Sequence, residues 1–175
     1  MTAIMASLPF RAVLSAVAAL AAAPASALEA ATLAPFAGAP SATIEASDLE
    51  GRAFPIGSDP DRPVILHFFA SWCEPCREEF PGLMAFMKGQ GDAVRLIGVD
   101  VGEPASRARA FVRTLGFAAP VALDEDKNIA AAFLRRGLPA TVVLAPGGGA
   151  ALAAAGPLDW TSPAVGDAIN RLKKQ

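Results

Sequence analysis

The chain has 175 residues, of which 53% are hydrophobic, enough for one domain with its own core. Its 15 basic and 17 acidic residues nearly cancel, and no basic patch with interleaved aromatics occurs, which argues against nucleic acid as a partner. With one histidine and two cysteines the chain falls short of the roughly four ligands that a structural zinc site needs, so no metal and no bound cofactor is expected.

The N-terminus reads as a secretory signal peptide over residues 1–27. Arg11 is the one charge before Glu29, residues 12–23 are small and apolar, and Ala25-Ser26-Ala27 has the small-residue form of a cleavage site. The apolar run is short for a membrane span. Kept uncleaved, it would be an N-terminal anchor and the chain's sole membrane contact. Without it 14 basic and 17 acidic residues remain, a net charge of −3. Residues 28–41, rich in Ala and Pro, read as a flexible leader, and residues 42–175 as the folded domain.

Within the domain, residues 43–46 and 52–56 pair as an N-terminal hairpin around the turn Asp48-Leu49-Glu50-Gly51. Residues 63–70 are continuously apolar, as in a central strand covered on both faces. A helical period follows in Phe80, Leu83, Met84 and Met87, with Pro81 expected to kink it. Residues 93–99 form the next strand. A helix follows with Ala108, Phe111, Val112 and Leu115 on one face, closed by Gly116. Val121 and Leu123 lie on a short strand or loop. A helix over about 127–135 ends at Gly137. Residues 141–145 and 150–154 form a hairpin, and Val165, Ile169 and Leu172 mark a last helix. This order predicts an α/β fold with a central mixed sheet flanked by helices.

The chemistry sits at Trp72-Cys73-Glu74-Pro75-Cys76, between strand and helix. A disulfide closing so small a loop stabilises a fold poorly, so the pair reads as redox-active rather than as a staple. Thiol exchange needs a thiolate, and a helix N-terminus stabilises that charge. Cys73, expected exposed just before the first turn, is the nucleophile. Cys76, inside the turn and more buried, is the resolving thiol. Pro75 suits a helix start because its missing N–H has no partner there anyway. Covalent haem attachment is excluded by Arg77, where a histidine would be required.

Three further positions bear on that couple. Glu79 shares the core-facing side of the helix, where partial burial raises a carboxyl pKa, so it is a candidate proton relay to Cys76. The plainer reading is an exposed glutamate paired with Arg77. His67, the sole histidine, lies mid-strand six residues before Cys73 and reads first as a hydrogen-bonded core residue. Pro139 enters a strand after Gly137-Leu138, and by base rate its peptide bond is trans.

The segment Phe68-Phe69-Ala70-Ser71-Trp72-Cys73-Glu74-Pro75-Cys76-Arg77-Glu78-Glu79-Phe80-Pro81 strongly resembles the active-site segment of thioredoxin-like proteins. Within them it is similar to the exported TlpA/ResA-like disulfide reductases. Gly137-Leu138-Pro139-Ala140-Thr141 is similar to the family's cis-proline loop, and Gly156-Pro157-Leu158-Asp159-Trp160 to its late segment. The resemblance implies a thioredoxin-like fold with an added N-terminal β-hairpin. It implies a cis bond at Leu138–Pro139, overriding the base rate, with Trp72, Pro75, Leu138 and Pro139 contacting substrate. Glu79 matches an acidic residue of that branch. His67 departs from it, standing where relatives carry aspartate or asparagine, and could itself act as a base or shift the thiol pKa values.

The function implied is an exported, periplasmic protein-disulfide reductase. Its clients would be disulfide-containing proteins of cytochrome c maturation or copper-site assembly, and its electrons would come from a membrane thiol-transfer protein. Two alternatives stand. A disulfide donor would run the same chemistry backwards, although Glu74 beside Cys73 disfavours the thiolate and so favours a reductant. A Cu(I)-binding module would use the two thiols with Met84 or Met87, although both methionines lie on the helix's apolar stripe.

Overall fold

The computed structural model describes residues 30–36, 43–134 and 136–173. The expected signal peptide, residues 1–27, lies outside them. In chain order the elements are β1 (Ala34–Pro35), β2 (Ser47–Asp48), β3 (Val64–Phe69), α1 (Glu74–Gln90), β4 (Arg95–Val101), α2 (Ala105–Thr114), β5 (Val121–Asp124), α3 (Asn128–Phe133), β6 (Ala140–Leu144), β7 (Ala150–Ala155) and α4 (Pro163–Leu172). They form one mixed sheet in the order β1-β7-β6-β3-β4-β5-β2. β3, β4 and β5 run parallel, while β6, β7 and the edge strands β1 and β2 pair antiparallel with their neighbours.

β3 is buried along its whole length, and its alternation shows why every residue of it but His67 is apolar. Ile65 and Phe69 point into a cluster with Phe80 and Leu83 of α1, Phe111 and Val112 of α2, and Val165 and Ile169 of α4. Val64, Leu66 and Phe68 point the other way, toward Ile129 and Phe133 of α3. Two apolar faces leave no polar side, as a central strand requires.

On the α1 side four phenylalanine rings interlock. Phe69 lies 5.2 Å from Phe80, centroid to centroid, and Phe80 lies 5.3 Å from Phe117 and 6.0 Å from Phe111. The edge-on ring arrangements suit the aromatic quadrupole. Gly98 of β4 makes the room: a Cβ there would come within 2.9 Å of Phe69 and 3.0 Å of Phe117. On the other side Asp124, at the end of β5, accepts the N–H groups of Ile129 and Ala130 at 2.9 and 2.8 Å, capping α3.

Several sequence expectations shift. The N-terminal hairpin survives as single bridges, Ile44 to Ile56 and Ser47 to Ala53, and only Ser47–Asp48 joins the sheet, against β5. Backbone bonds join its arms: Ile44 and Ile56 exchange two, and the Phe54 and Asp48 N–H groups donate to the Ala46 and Arg52 carbonyls. Within the segment expected as a flexible leader, Ala34–Pro35 pairs with β7 and Ala31 bridges to Leu158. The sheet therefore ends in two-residue strands on both edges, one carrying a proline, which blunts edge-to-edge association. α1 runs unbroken through Pro81, which lies on its exposed face. β5 is a strand, settling the choice left open at Val121 and Leu123.

Gly98→Ala is expected to destabilise the fold by about 1–3 kcal/mol, because the added methyl meets two rings that are already packed. Urea unfolding measures it, and an unchanged midpoint would mean that the rings yield.

Candidate active site

β3 delivers the chain to the site, and α1 starts at once. The Cys73 N–H donates to the Ala70 carbonyl at 3.1 Å, closing a turn. Cys73 is the N-cap of α1, its Sγ accepting the Cys76 N–H at 3.2 Å, and Pro75 lies in the first helical turn. The two cysteines form a disulfide with Cα atoms 5.3 Å apart. Cys76 is fully buried, as expected. Cys73 is not exposed as expected: only 4% of its surface is accessible. The capping geometry turns its sulfur toward the helix N–H groups and into the apolar cluster that holds Phe80 and Trp160. The exposed aromatic of the motif is Trp72, at 66%.

Glu74 does not bear on Cys73 alone. Its carboxylate lies 3.5 Å from the Arg77 guanidinium, which also sits over the Phe111 ring at 4.9 Å and donates to the Ser71 carbonyl at 3.2 Å. Both partners of the ion pair are exposed, so it softens the charge beside Cys73 without adding much stability.

Glu79 is buried on the core side of α1 rather than paired with Arg77 at the surface. Its Oε1 accepts the Trp160 indole N–H at 2.5 Å and the Leu158 backbone N–H at 3.2 Å, while Oε2 has no partner among the described residues. Burial raises its pKa to about 7, against the two hydrogen bonds, which favour the charged form. Cys76 and Glu79 thus share the buried face of α1, and the Glu79 carboxyl gains and loses its proton near neutrality there.

His67 is fully buried. Its Nδ1 lies 3.2 Å from Thr141 Oγ1, and Nε2 has no partner among the described residues. The ring stands edge-on to Phe80 at 5.4 Å and to Trp160 at 6.4 Å. Burial pushes its pKa down to about 3, so the imidazole is neutral across the working range and carries no charge to shift a thiol. Its aromatic contacts fit the core reading. Trp160 touches both groups, edge-on to His67 and hydrogen-bonded to Glu79.

The Leu138–Pro139 bond is cis, as the resemblance implied. Leu138 and Trp72 line one groove of about 410 Å³ with Val101, Leu134, Lys127 and Arg136. Pro139 itself is buried, and its carbonyl accepts the Gly156 N–H at 2.9 Å. Pro75 is half-buried at the helix start and lies outside the groove. Sequence reasoning missed Trp160 as the donor to Glu79. It also missed two buried carboxyls on the β4 side, Asp100 and Glu103. An aspartate at the end of an apolar strand was the available signal.

Residues 37–149 match the AhpC/TSA family. The chain is 32% identical over 133 residues to the thiol-disulfide oxidoreductase ResA of Bacillus subtilis, covering 74% of this chain and 66% of that protein. It is 32% identical over 101 residues to ResA of Geobacillus thermodenitrificans, covering 56% of this chain and 57% of that one. The match thus spans between about half and two thirds of these curated relatives. Among solved structures, StoA from Bacillus subtilis superposes with a TM-score of 0.58 at 24% identity, covering 69% of this chain and 97% of that one. A DsbF homologue from Corynebacterium diphtheriae gives 0.67 at 22% identity, covering 88% and 97%. The fold is thioredoxin-like, as expected.

The Glu79 carboxyl yields two predictions. Its folded pKa, about 7, lies above its ordinary value of 4.5, so its contribution to stability is complete below about 4.5 and is lost as pH rises through about 7. Glu79→Gln is expected to remove a share of the stability lost between pH 5 and 8, on the order of 3 kcal/mol, in denaturant titrations at the two pH values. Trp160→Phe deletes a bond that favours the carboxylate, so the Glu79 pKa should rise further, read by carboxyl NMR titration.

Proposed function

The chain belongs to the AhpC/TSA family, and from that we propose that it is an exported thiol–disulfide oxidoreductase that reduces disulfides in client proteins through Cys73 and Cys76. The observation that carries this reading is the Cys73–Cys76 disulfide capping α1, with the buried Glu79 carboxyl in the same wall of the core. The ResA relatives, which carry the name thiol-disulfide oxidoreductase, support it.

The reaction this reading implies has two exchanges. In the reduced protein the Cys73 thiolate, stabilised by the free N–H groups of α1, attacks one sulfur of a client disulfide and expels the other client thiolate, leaving a mixed disulfide. Cys76 then loses its proton to the Glu79 carboxylate and attacks Cys73 Sγ. The Cys73–Cys76 disulfide forms and the second client thiolate leaves. Two electrons pass to the client, which takes up two protons. A carboxyl with a pKa of about 7 can accept the Cys76 proton and release it again. The groove between Trp72 and Leu138 offers the client chain an apolar bed beside the couple.

Glu74 beside Cys73 supports the reducing direction, since a negative charge there disfavours the thiolate and hence the reduced form, although Arg77 moderates it. A membrane thiol-transfer protein is the electron source this requires, with clients of cytochrome c maturation or copper-site assembly in the periplasm. Export rests on the N-terminal sequence; among the described residues no helix is long and apolar enough to cross a membrane. The copper-binding alternative is weakened because Met84 and Met87 pack against the core cluster.

Cys76→Ser is expected to trap a client as a mixed disulfide on Cys73, while Cys73→Ser traps none. Capture by both variants, or by neither, would remove the assigned order of attack. The potential of the couple, from equilibration with thiol buffers, is expected at or below about −250 mV; a value near about −120 mV would reverse the direction.

A further inference from the structure

Two carboxyls that the exchange chemistry does not use are buried behind the residues leading to Cys73. Glu103, in the β4–α2 connection, is 2% exposed. Its Oε2 accepts the Ser71 backbone N–H at 2.5 Å and its Oε1 accepts the Ser71 hydroxyl at 2.6 Å. The Ser71 carbonyl is held from the other side by Arg77. Every polar group of Ser71, two residues before the nucleophile, is therefore tied down, and Glu103 supplies two of the three bonds.

Asp100 ends β4 on the same face of the sheet as Leu96 and Gly98, toward α1 and α2. It is fully buried, and neither carboxyl oxygen receives a donor from any described residue. A buried carboxylate without a donor is costly, and a second carboxylate beside it adds repulsion. The arrangement is stable when Asp100 keeps its own proton and donates it in a hydrogen bond to the neighbouring Glu103 carboxylate. Burial and the Glu103 charge hold that proton up to about pH 7.

The surrounding charges leave this pairing in place. Arg107 of α2 approaches Glu103 Oε1 only to 3.8 Å and is itself exposed. Arg77 of α1 is engaged with Ser71 and Glu74. From the β5–α3 turn the Lys127 stem lies over Gly102. His67 of β3 is neutral, and the strand neighbours of Asp100, Phe69 and Leu123, are apolar.

We propose that Asp100 and Glu103 work as one proton-sharing pair that positions the nucleophile-bearing turn: neutral Asp100 donates to ionised Glu103, and Glu103 holds Ser71 so that Cys73 caps α1 in register. Both are positioning residues. They act on Cys73 through Ser71 and exchange no proton with the thiols. When Asp100 ionises, repulsion drives the Glu103 carboxylate off Ser71 and the turn loosens. The relevance to catalysis rests on the oxidoreductase reading; the pair itself does not.

The test is amide hydrogen exchange at Ser71 in the full-length oxidised protein, corrected for the intrinsic rise of exchange with pH. Wild-type protection is expected to fall about tenfold between pH 6 and 8. Asp100→Asn, whose amide donates at every pH, should keep its protection across that range. Glu103→Gln, with one acceptor oxygen in place of two, should lose about tenfold at every pH and slow attack by Cys73 on 2-hydroxyethyl disulfide by a similar factor. A flat wild-type profile overturns the proposal and needs no variant. An Asp100→Asn profile that falls like the wild type also overturns it, since Glu79 titrating in the same range would then be the cause. Exchange is read without a client, so a wild-type protein that reduces no disulfide would sink the oxidoreductase reading and leave the pair standing.

Discussion

The structure depends on β3 being buried on both faces. A strand with no polar side can occupy only the middle of a sheet, and its C-terminal end is then fixed by neighbours on either hand, β4 and β6. Cys73 inherits that fixity. Ala70 closes the turn, Ser71 is clamped, and α1 begins at the next residue after the cysteine. The Cys73 sulfur is thus placed by a segment buried on both faces, at a helix end whose free N–H groups favour negative charge.

That placement has a cost, visible in the polar groups packed beneath it. His67, Glu79, Asp100 and Glu103 are all buried on the α1 side of the sheet or at its C-terminal edge. They differ in what each is given. His67 receives one hydroxyl and aromatic edges, and stays neutral. Glu79 receives an indole and an amide, enough to bring its titration near neutrality but not below it. Glu103 receives two donors from one serine, and Asp100 none. Stability consequently leans in two directions. Protonation of His67 opposes the fold as pH falls below about 6.5, and ionisation of Glu79 and Asp100 opposes it as pH rises through about 7.

Much of this was legible in the sequence. The unbroken apolar run of β3 announced a central strand, and the Cys-Glu-Pro-Cys spacing after it announced a capped helix. The stripe of Phe80, Leu83, Met84 and Met87 announced the face that packs on the sheet. What escaped had a common cause, partners distant in the chain. The Trp160 bond to Glu79 spans 81 residues and the Glu103 bond to Ser71 spans 32, and no local period encodes either. The exposure of Cys73 was misjudged for a related reason. Spacing places a residue at a helix N-cap but does not say how far Trp160 and its neighbours close over it.

The covering of Cys73 also sets a condition on shape. A sulfur with a few per cent of its surface open, beside a tryptophan that stands free, cannot be reached by a disulfide lying flat within a rigid partner. What stays open beside it is the Trp72 indole and the groove that Trp72 shares with Leu138, a shape that admits a thin, extended segment of chain more readily than a flat surface.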